Sequence, residues 1–344
     1  MTVIALALAA FFSIALPPPE GGSAPPELGL VRFERDLDAG LAAAESTGKP
    51  VFLLFQEIPG CSTCVSFGED VLSHPLLVDA IEAEFVPVAI HNNKPGKDAD
   101  ALARYSEPSW NNPVVRFVDS AGKDLLPRKD GVTSAAAIAE RAVRALEAAR
   151  RPVPRYLRLL LAETAPKGRA TAAFAMHCFW EGEARLGAID GVLATRAGFL
   201  DGQEVVEVVF DPGVVAFDRL AAEAKRLECA AAVYAPDEAA RSAAGAGAKV
   251  LKDAVREAPR ADQKHALSLS PLRLVPMTES QAARVNAAVA RGEDPADLLS
   301  PSQAALAKRI AAGDAARLEG LLPPADLRAW RAYFADAAAR LGGQ

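Results

Sequence analysis

The alternation of apolar and polar positions in the first half of the chain predicts helices between short buried strands. Apolar residues at helical spacing predict an amphipathic helix that ends near Gly48 and Pro50, and the uninterrupted apolar run that follows is typical of a buried strand. In chain order, the predicted elements are FERDLDAGLAAAESTGKP (helix), VFLLFQ (strand), VSFGEDVLS and LLVDAIEAEF (helices), VPVAIH (strand), PVVRFVDSAGKDL (strand, turn and strand) and residues 134–150 (helix). Helices interleaved with buried strands indicate an α/β architecture.

The second half begins after a break that is rich in proline and charge, at RRPVPRYL and AETAPKGRA. The predicted elements that follow are TAAFAM (strand), FWEGEARLGAI (helix), VLATRAGFL and EVVEVVF (strands) and FDRLAAEAKRL (helix). This β-α-β-β-α order is the split pattern of a ferredoxin-like core. Strand signals stop near residue 265, where capping boxes at Thr278 and Ser300 predict helices.

These patterns divide the chain into four parts, which are residues 1–26, 27–150, 151–262 and 263–344. We expect a leader, two α/β domains and a short all-α tail, in that order. The tail contains Met277, Trp330, Tyr333 and Phe334, and we expect these side chains to pack a core rather than to form a binding site.

The leader contains an uncharged apolar run from Val3 to Leu16. Its length fits the central region of a signal peptide and is short for a membrane span. We therefore expect an exported protein, either periplasmic or attached to the membrane through this segment and facing outside. A buried helix is the alternative, because no basic residue precedes the run. No cysteine follows the run closely, so we expect no lipid anchor there.

Composition restricts the possible partners and ligands. The chain has 344 residues, of which 51% are hydrophobic, so it can bury a sizeable core. Its formal net charge is −6 and it has no basic run, so we expect no nucleic-acid partner. The four histidines are scattered and C-x-x-C occurs once, so we expect neither a metal site nor a cofactor.

Cys61 and Cys64 form this C-x-x-C pair at a predicted strand-to-helix junction. A sulfur at the start of a helix faces free N–H groups, which stabilise a thiolate and lower its pKa. We therefore expect Cys61 to be the attacking thiolate and Cys64 to resolve the mixed disulfide. A structural disulfide or an inert pair is the alternative, although so small a loop would restrain little of the unfolded chain.

The residues around the pair resemble the thioredoxin superfamily. TGKPVFLLFQEIPGCSTC, FVPVAI and SWNNPVVRFVDSAGKDL carry the resemblance, which covers about residues 30 to 150. IPGCSTC is similar to a bacterial thioredoxin-like group with the motif V-P-G-(Cys or Sec)-x-x-Thr, in which Cys64 replaces the threonine. The resemblance implies a thioredoxin-like fold, a complete dithiol and a cis peptide bond before Pro113, which would face the dithiol.

From about residue 171 to 238 the chain resembles the A-type peptide methionine sulfoxide reductases. Cys178, Phe179 and Trp180 match the core of their G-C-F-W-G motif, whose two flanking glycines are His177 and Glu181 here. A strand that contains Glu204 ends in VVFDP, as in the family. The resemblance implies that the Cys178 thiolate attacks the sulfoxide sulfur and that Glu204 gives a proton to the departing oxygen. It also implies that Phe179 and Trp180 form the pocket for the methyl group.

This second segment departs from the family at several positions. Phe199 replaces the tyrosine of the family's GYAGG motif, and the stretch NDHGTQYRSAIY is reduced to LECAAAVY. In that alignment Cys229 takes the place of an oxygen-binding tyrosine beside the nucleophile. Cys229 then either resolves a sulfenic acid on Cys178 or is a small apolar residue at the end of a helix.

Two functions fit these observations, and both are those of an oxidoreductase. In the first, the thioredoxin-like dithiol supplies electrons to the reductase-like domain, which reduces methionine-S-sulfoxide in exported proteins. In the second, the protein is a thiol-disulfide relay whose second domain is a degenerate binding module. Either function implies protein substrates with oxidised Cys or Met and an upstream thiol reductant, and the expected substrate-binding residues are Pro113, Phe179, Trp180 and Phe199.

Overall fold

The computed structural model describes residues 25–245, 247–313 and 315–342. The predicted leader, apart from its last two residues, lies outside the described residues. None of the helices in the described ranges is both long enough and apolar enough to cross a membrane.

The first domain is built around a three-stranded sheet with the order β2-β1-β3. Its elements are α1 (Leu37–Thr47), β1 (Val51–Gln56), α2 (Ser62–Asp70), α3 (Pro75–Glu84), β2 (Val86–His91), α4 (Lys97–Tyr105), β3 (Val114–Val118) and α5 (Ala135–Ala148). β1 pairs in parallel with β2 and antiparallel with β3. Every residue of β1 is buried because helices cover both faces of the sheet.

The side chains of β1 alternate between two hydrophobic clusters. Phe52 and Leu54 pack with α3 and α5, whereas Leu53 and Phe55 pack with α1 and α4. The predicted strand after β3 is reduced to a single bridge between Val118 and Asp124. The Asp119 carboxylate accepts hydrogen bonds from two backbone N–H groups in the intervening turn, so the chain reverses there without extending the ladder.

The second domain contains a six-stranded sheet with the order β8-β7-β4-β6-β5-β9. Its elements are β4 (Ala170–Ala175), α7 (Phe179–Leu186), β5 (Val192–Leu200), β6 (Gln203–Phe210), α8 (Phe217–Arg226), β7 (Ala232–Ala235), α9 (Glu238–Ala244), β8 (Ala248–Val250) and β9 (Arg256–Glu257). The four central strands are antiparallel and have the order of a ferredoxin-like core, as predicted. The outer strands β8 and β9 are too short for their sequence pattern to predict them.

A helix connects the two domains and packs with the first. This helix, α6 (Arg155–Thr164), contributes Tyr156, Leu157 and Leu160 to the hydrophobic core of the first domain. The predicted start of the second domain at residue 151 therefore precedes a helix whose buried face belongs to the first core.

The C-terminal part is helical, and its helices contact both domains. The helices are α10 (His265–Leu269), α11 (Glu279–Ala290), α12 (Pro301–Ala312) and α13 (Trp330–Arg340). The predicted capping boxes at Thr278 and Ser300 begin α11 and α12. α11 packs against α7 and β5, α12 packs against α3, and Trp330 is buried in the first core. The all-α tail therefore links the two α/β domains.

Candidate functional site

The dithiol lies at the start of α2, immediately after the central strand β1. Cys61 is the N-cap residue of α2 and is exposed, whereas Cys64 is buried in the first turn. Both are free thiols, and their Sγ atoms are 3.7 Å apart. A small movement therefore suffices to form the disulfide, whose sulfur-sulfur bond is about 2.05 Å long.

The two thiols differ in acidity because of their positions. The backbone N–H of Cys64 donates to the Cys61 sulfur and lowers its pKa, with a further contribution from the Cys64 thiol. Burial raises the pKa of the Cys64 thiol to about 11. Cys61 is thus the thiol that ionises first and reaches solvent, as its position before a helix predicts.

The segment before β3 forms the wall opposite the buried thiol. The Cys64 thiol donates a hydrogen bond to Asn112 Oδ1 at 2.7 Å, and the Asn112–Pro113 peptide bond is cis. The family resemblance predicts Pro113 at the dithiol, whereas no sequence motif marks its neighbour Asn112. The Asn112 contact holds the Cys64 thiol as a hydrogen-bond donor.

A buried glutamate supports the loop before Cys61. Glu27 is 3% exposed, and its Oε1 accepts a hydrogen bond from the N–H of Gly60 at 2.7 Å. Gln56 Nε2 donates to the carbonyl oxygens of Glu27 and Cys64 at 2.7 and 3.1 Å. These contacts fix the loop against α2. No sequence motif marks Glu27, because it lies in a turn far from Cys61 along the chain.

The second site is at the start of α7, where β4 leads into the helix. Cys178 is the N-cap residue of α7 and is half-buried. Glu204, on the adjacent strand β6, accepts a hydrogen bond through Oε2 from the N–H of Phe179 at 2.9 Å. The strand pairing of β4 and β6 therefore places a carboxyl group beside the thiol, at the positive end of a helix.

Aromatic side chains form one wall of this second site. The Phe179 ring contacts the Phe199 ring edge-to-face with the centroids 5.6 Å apart, and contacts Trp180 at 6.1 Å. Trp180 stacks on His265 at 3.9 Å with an angle of 8° between the rings. His265 begins α10, so the helical tail adds to this wall a histidine that no sequence motif marks.

Cys229 lies close to the start of β7, which pairs antiparallel with β4. Ala175 of β4 pairs with Ala232 of β7. Cys178 lies three residues after Ala175, and Cys229 lies three residues before Ala232. Both cysteines are therefore at the same edge of the sheet. Cys229 is buried, and its thiol donates to the carbonyl oxygen of Leu227 at 3.3 Å.

Burial raises the pKa of the Cys229 thiol, and the neighbouring Arg185 guanidinium on α7 partly opposes this effect. A resolving role for Cys229 stays a prediction. Among the residues that the structure describes, no group of three His, Cys, Asp or Glu side chains is arranged to hold a metal ion.

Comparison with known proteins bears on both halves of the chain. The model of a thioredoxin-like family matches residues 32–120. A peptide methionine sulfoxide reductase of Drosophila melanogaster is 38% identical over 65 residues, which are 15% of this chain and 26% of that protein. The MsrA of Geobacter metallireducens is 38% identical over 66 residues, which are 14% of this chain and 41% of that protein.

The chain joins a thioredoxin-like domain to an MsrA-like domain. It spans between 26% and 41% of the length of these two curated relatives. The predicted pairing of the two families is confirmed, and so is the mixed α/β fold class with a helical C-terminal part. The relatives are reductases by name, which agrees with the predicted oxidoreductase class.

Two solved structures are also similar to parts of the chain. A DsbH oxidoreductase matches with a TM-score of 0.29 and 18% identity, covering 38% of this chain and 94% of that chain. A methionine sulfoxide reductase A of Corynebacterium diphtheriae matches with a TM-score of 0.26 and 20% identity, covering 31% of this chain and 78% of that chain.

Proposed function

We propose that the MsrA-like domain reduces methionine sulfoxide in proteins and that the Cys61–Cys64 dithiol supplies the electrons. The observation that carries this proposal is the position of Glu204, whose carboxyl group lies at the N–H of Phe179 next to Cys178. A nucleophilic thiolate and a proton donor are the two groups that sulfoxide reduction requires.

In the first half of the reaction, the Cys178 thiolate attacks the sulfoxide sulfur. Glu204 gives a proton to the sulfoxide oxygen, and the oxygen is transferred to the Cys178 sulfur. Methionine leaves as the thioether and Cys178 remains as a sulfenic acid. The Cys229 thiol then attacks this sulfenic acid, so that water leaves and a Cys178–Cys229 disulfide forms.

In the second half, the Cys61 thiolate attacks that disulfide and forms a mixed disulfide, which Cys64 resolves. Cys178 and Cys229 are thereby reduced, and the Cys61–Cys64 disulfide passes its oxidising equivalents to an upstream thiol reductant. This transfer requires Cys61 to reach the Cys178–Cys229 disulfide, either within one molecule or between two molecules. The low pKa of Cys61 and the high pKa of Cys64 support this order of attack.

The substrates in this proposal are exported proteins that contain methionine-S-sulfoxide. The apolar run from Val3 to Leu16 supports a location outside the cytoplasm, with membrane attachment if the segment is retained. The second candidate function is a thiol-disulfide relay with an inactive second domain. Phe199 favours the relay, because its ring lacks the hydroxyl group that the corresponding tyrosine would offer to the sulfoxide oxygen.

The two functions differ in an assay with purified protein, dithiothreitol and peptides that carry one sulfoxide epimer each. We expect reduction of the S epimer, no reduction by Cys178→Ser, and a rate about a hundredfold lower in Glu204→Gln, because glutamine cannot supply the proton. Glutamine still offers an oxygen to the N–H of Phe179, so this variant keeps the local fold. If the wild type reduces neither epimer, the relay replaces the reductase.

Cys229→Ser tests the proposed route of the electrons in the same assay without dithiothreitol. We expect one equivalent of methionine per protein, after which Cys178 remains as a sulfenic acid that dimedone labels. Both proteins carry Cys61→Ser/Cys64→Ser, so that the first dithiol cannot react. In the control, which keeps Cys229, we expect a Cys178–Cys229 disulfide that dimedone does not label. Equal dimedone labelling with and without Cys229 would contradict its resolving role.

A further inference from the structure

Arg256 lies in the same cross-strand row as the candidate acid of the second site. The pairing of β5 with β6 sets Phe199 opposite Glu204, and the pairing of β5 with β9 sets Phe199 opposite Arg256. Residues directly opposite each other in antiparallel strands project from the same face of the sheet. Glu204, Phe199 and Arg256 therefore project towards the face that α7 covers.

The guanidinium group of Arg256 lies over the Phe199 ring. Its Cζ atom is 4.4 Å from the ring centroid, and the same ring contacts the Phe179 ring edge-to-face. A guanidinium group that stacks through its planar face keeps its N–H groups free at the edge. Arg256 makes no side-chain hydrogen bond or ion pair with another residue in the described ranges, so these donors are available.

Reduction of a sulfoxide is favoured by a hydrogen-bond donor at the sulfoxide oxygen. Attack by the Cys178 thiolate places negative charge on the sulfoxide oxygen, and a positioned donor at that oxygen stabilises the transition state. A charged donor makes a hydrogen bond roughly twice as strong as a neutral one. Phe199 has no donor of its own, and Arg256 brings five N–H groups to the ring that it covers.

We propose that Arg256 binds the sulfoxide oxygen of the substrate and so replaces the donor that Phe199 lacks. The inference rests on the proposed sulfoxide reduction and names the residue that selects a sulfoxide over a thioether. Arg256 forms no covalent bond and gives up no proton, because Glu204 supplies the proton and the Cys178 sulfur takes the oxygen. The substrate class is a methyl sulfoxide whose oxygen points towards β9.

Variants of Arg256 and Phe199 test this role by sulfoxide reduction. We expect Arg256→Ala to lower kcat/KM by about a hundredfold, the effect of removing one oxyanion donor. Phe199→Tyr introduced into Arg256→Ala should restore at least a tenth of the wild-type value, because the hydroxyl group returns a donor to the same place. Arg260→Ala is the matched control, since Arg260 is an exposed arginine that lies four residues after Arg256.

A binding measurement separates failure of this inference from failure of the proposed function. In the Cys178→Ser background, calorimetry compares a methionine sulfoxide peptide with the same peptide in the thioether form. We expect Arg256→Ala to remove the preference for the sulfoxide and to leave thioether affinity unchanged.

If wild-type turnover and Arg256→Ala turnover are equal, the inference fails while the reductase stands. If the wild type has no turnover, the proposed function fails. In that case the binding measurement still tests the role of Arg256. If Arg256→Ala leaves the preference for the sulfoxide peptide over the thioether peptide unchanged, Arg256 does not bind the sulfoxide oxygen.

Discussion

The four cysteines lie in different local environments. Cys61 and Cys178 are the N-cap residues of α2 and α7 and reach the surface, whereas Cys64 and Cys229 are buried. Backbone N–H groups at a helix start stabilise a thiolate, and burial in apolar surroundings stabilises a thiol. Each site therefore has an accessible sulfur at a helix start and a buried sulfur whose pKa is raised by burial.

The acidity of the dithiol can be measured by alkylation at different pH values. The pKa of Cys61 is lowered and that of Cys64 is raised to about 11, so thiolate at Cys61 forms first as the pH rises. We expect iodoacetamide to label Cys61 with a midpoint below the usual value of about 8.5. Labelling of Cys64 should require a pH near 11 or unfolding.

The control for this measurement is Cys61→Ser, which leaves Cys64 as the only thiol at the site. We expect slow labelling of Cys64 in this variant at pH 7, because its thiol remains buried. Equal labelling rates of the two cysteines at pH 7 would contradict the assignment of Cys61 as the attacking thiol.

The start of α3 combines a buried histidine with a helix N-terminus. His74 is the N-cap residue of α3, and no hydrogen bond reaches its buried Nδ1 in the described structure. Burial lowers the pKa of His74 from 6.5 to about 4. The helix N-terminus disfavours a positive charge at the same place.

The lowered pKa of His74 predicts a loss of stability in acid. Between pH 6.5 and about 4 the unfolded chain binds a proton at His74 that the folded chain does not bind. The unfolded state is therefore favoured as the pH falls through this window, and the full stability is present above pH 6.5. We expect the urea midpoint to fall from pH 7 to pH 5, and to fall less in His74→Asn, whose side chain can cap the helix without titrating.

At the scale of the whole molecule, the C-terminal helices tie the two α/β domains together. Trp330 is 1% exposed within the core of the first domain, and α11 packs against α7 and β5 of the second. A buried ion pair adds to this contact, because Lys264 Nζ lies 2.8 Å from Glu183 Oε1 and the Lys264 N–H donates to Oε2 at 2.6 Å. The segment that presents His265 to Trp180 is thereby anchored on α7.

The position of Trp330 predicts that a change in the last helix destabilises the first domain. We expect Trp330→Ala to lower the free energy of unfolding by about 3 to 5 kcal/mol, the usual effect of removing a large buried aromatic side chain. Alkylation of the buried Cys64 in moderate urea should become faster in parallel, because Cys64 reports opening of the first domain.

Trp110→Ala is the matched control, since Trp110 is 80% exposed and its removal leaves no cavity. We expect its urea midpoint to stay within experimental error of the wild type. If Trp330→Ala left both the midpoint and the labelling of Cys64 unchanged, α13 would not be part of the first core.

Local chemistry in the sequence accounts for much of this protein. Apolar periodicity predicted most helices and strands, and Thr278 and Ser300 marked the starts of α11 and α12. The C-x-x-C motif predicted a pair of thiols at a helix start, and the family resemblance pointed to Cys178 and Glu204. These features depend on neighbouring residues, or on a motif that a short stretch carries, and so they can be predicted from the amino-acid sequence.

The residues that reach each site from distant parts of the chain are visible only in the folded protein. Asn112 binds Cys64, Glu27 supports the loop before Cys61, and Arg256 covers Phe199. Trp330 entered the first core although it lies near the end of the chain. Such contacts depend on strand register and helix packing, which arise from many weak interactions over the whole fold. No local pattern of apolar and polar residues carries that information, because the partners are separated by tens to hundreds of residues.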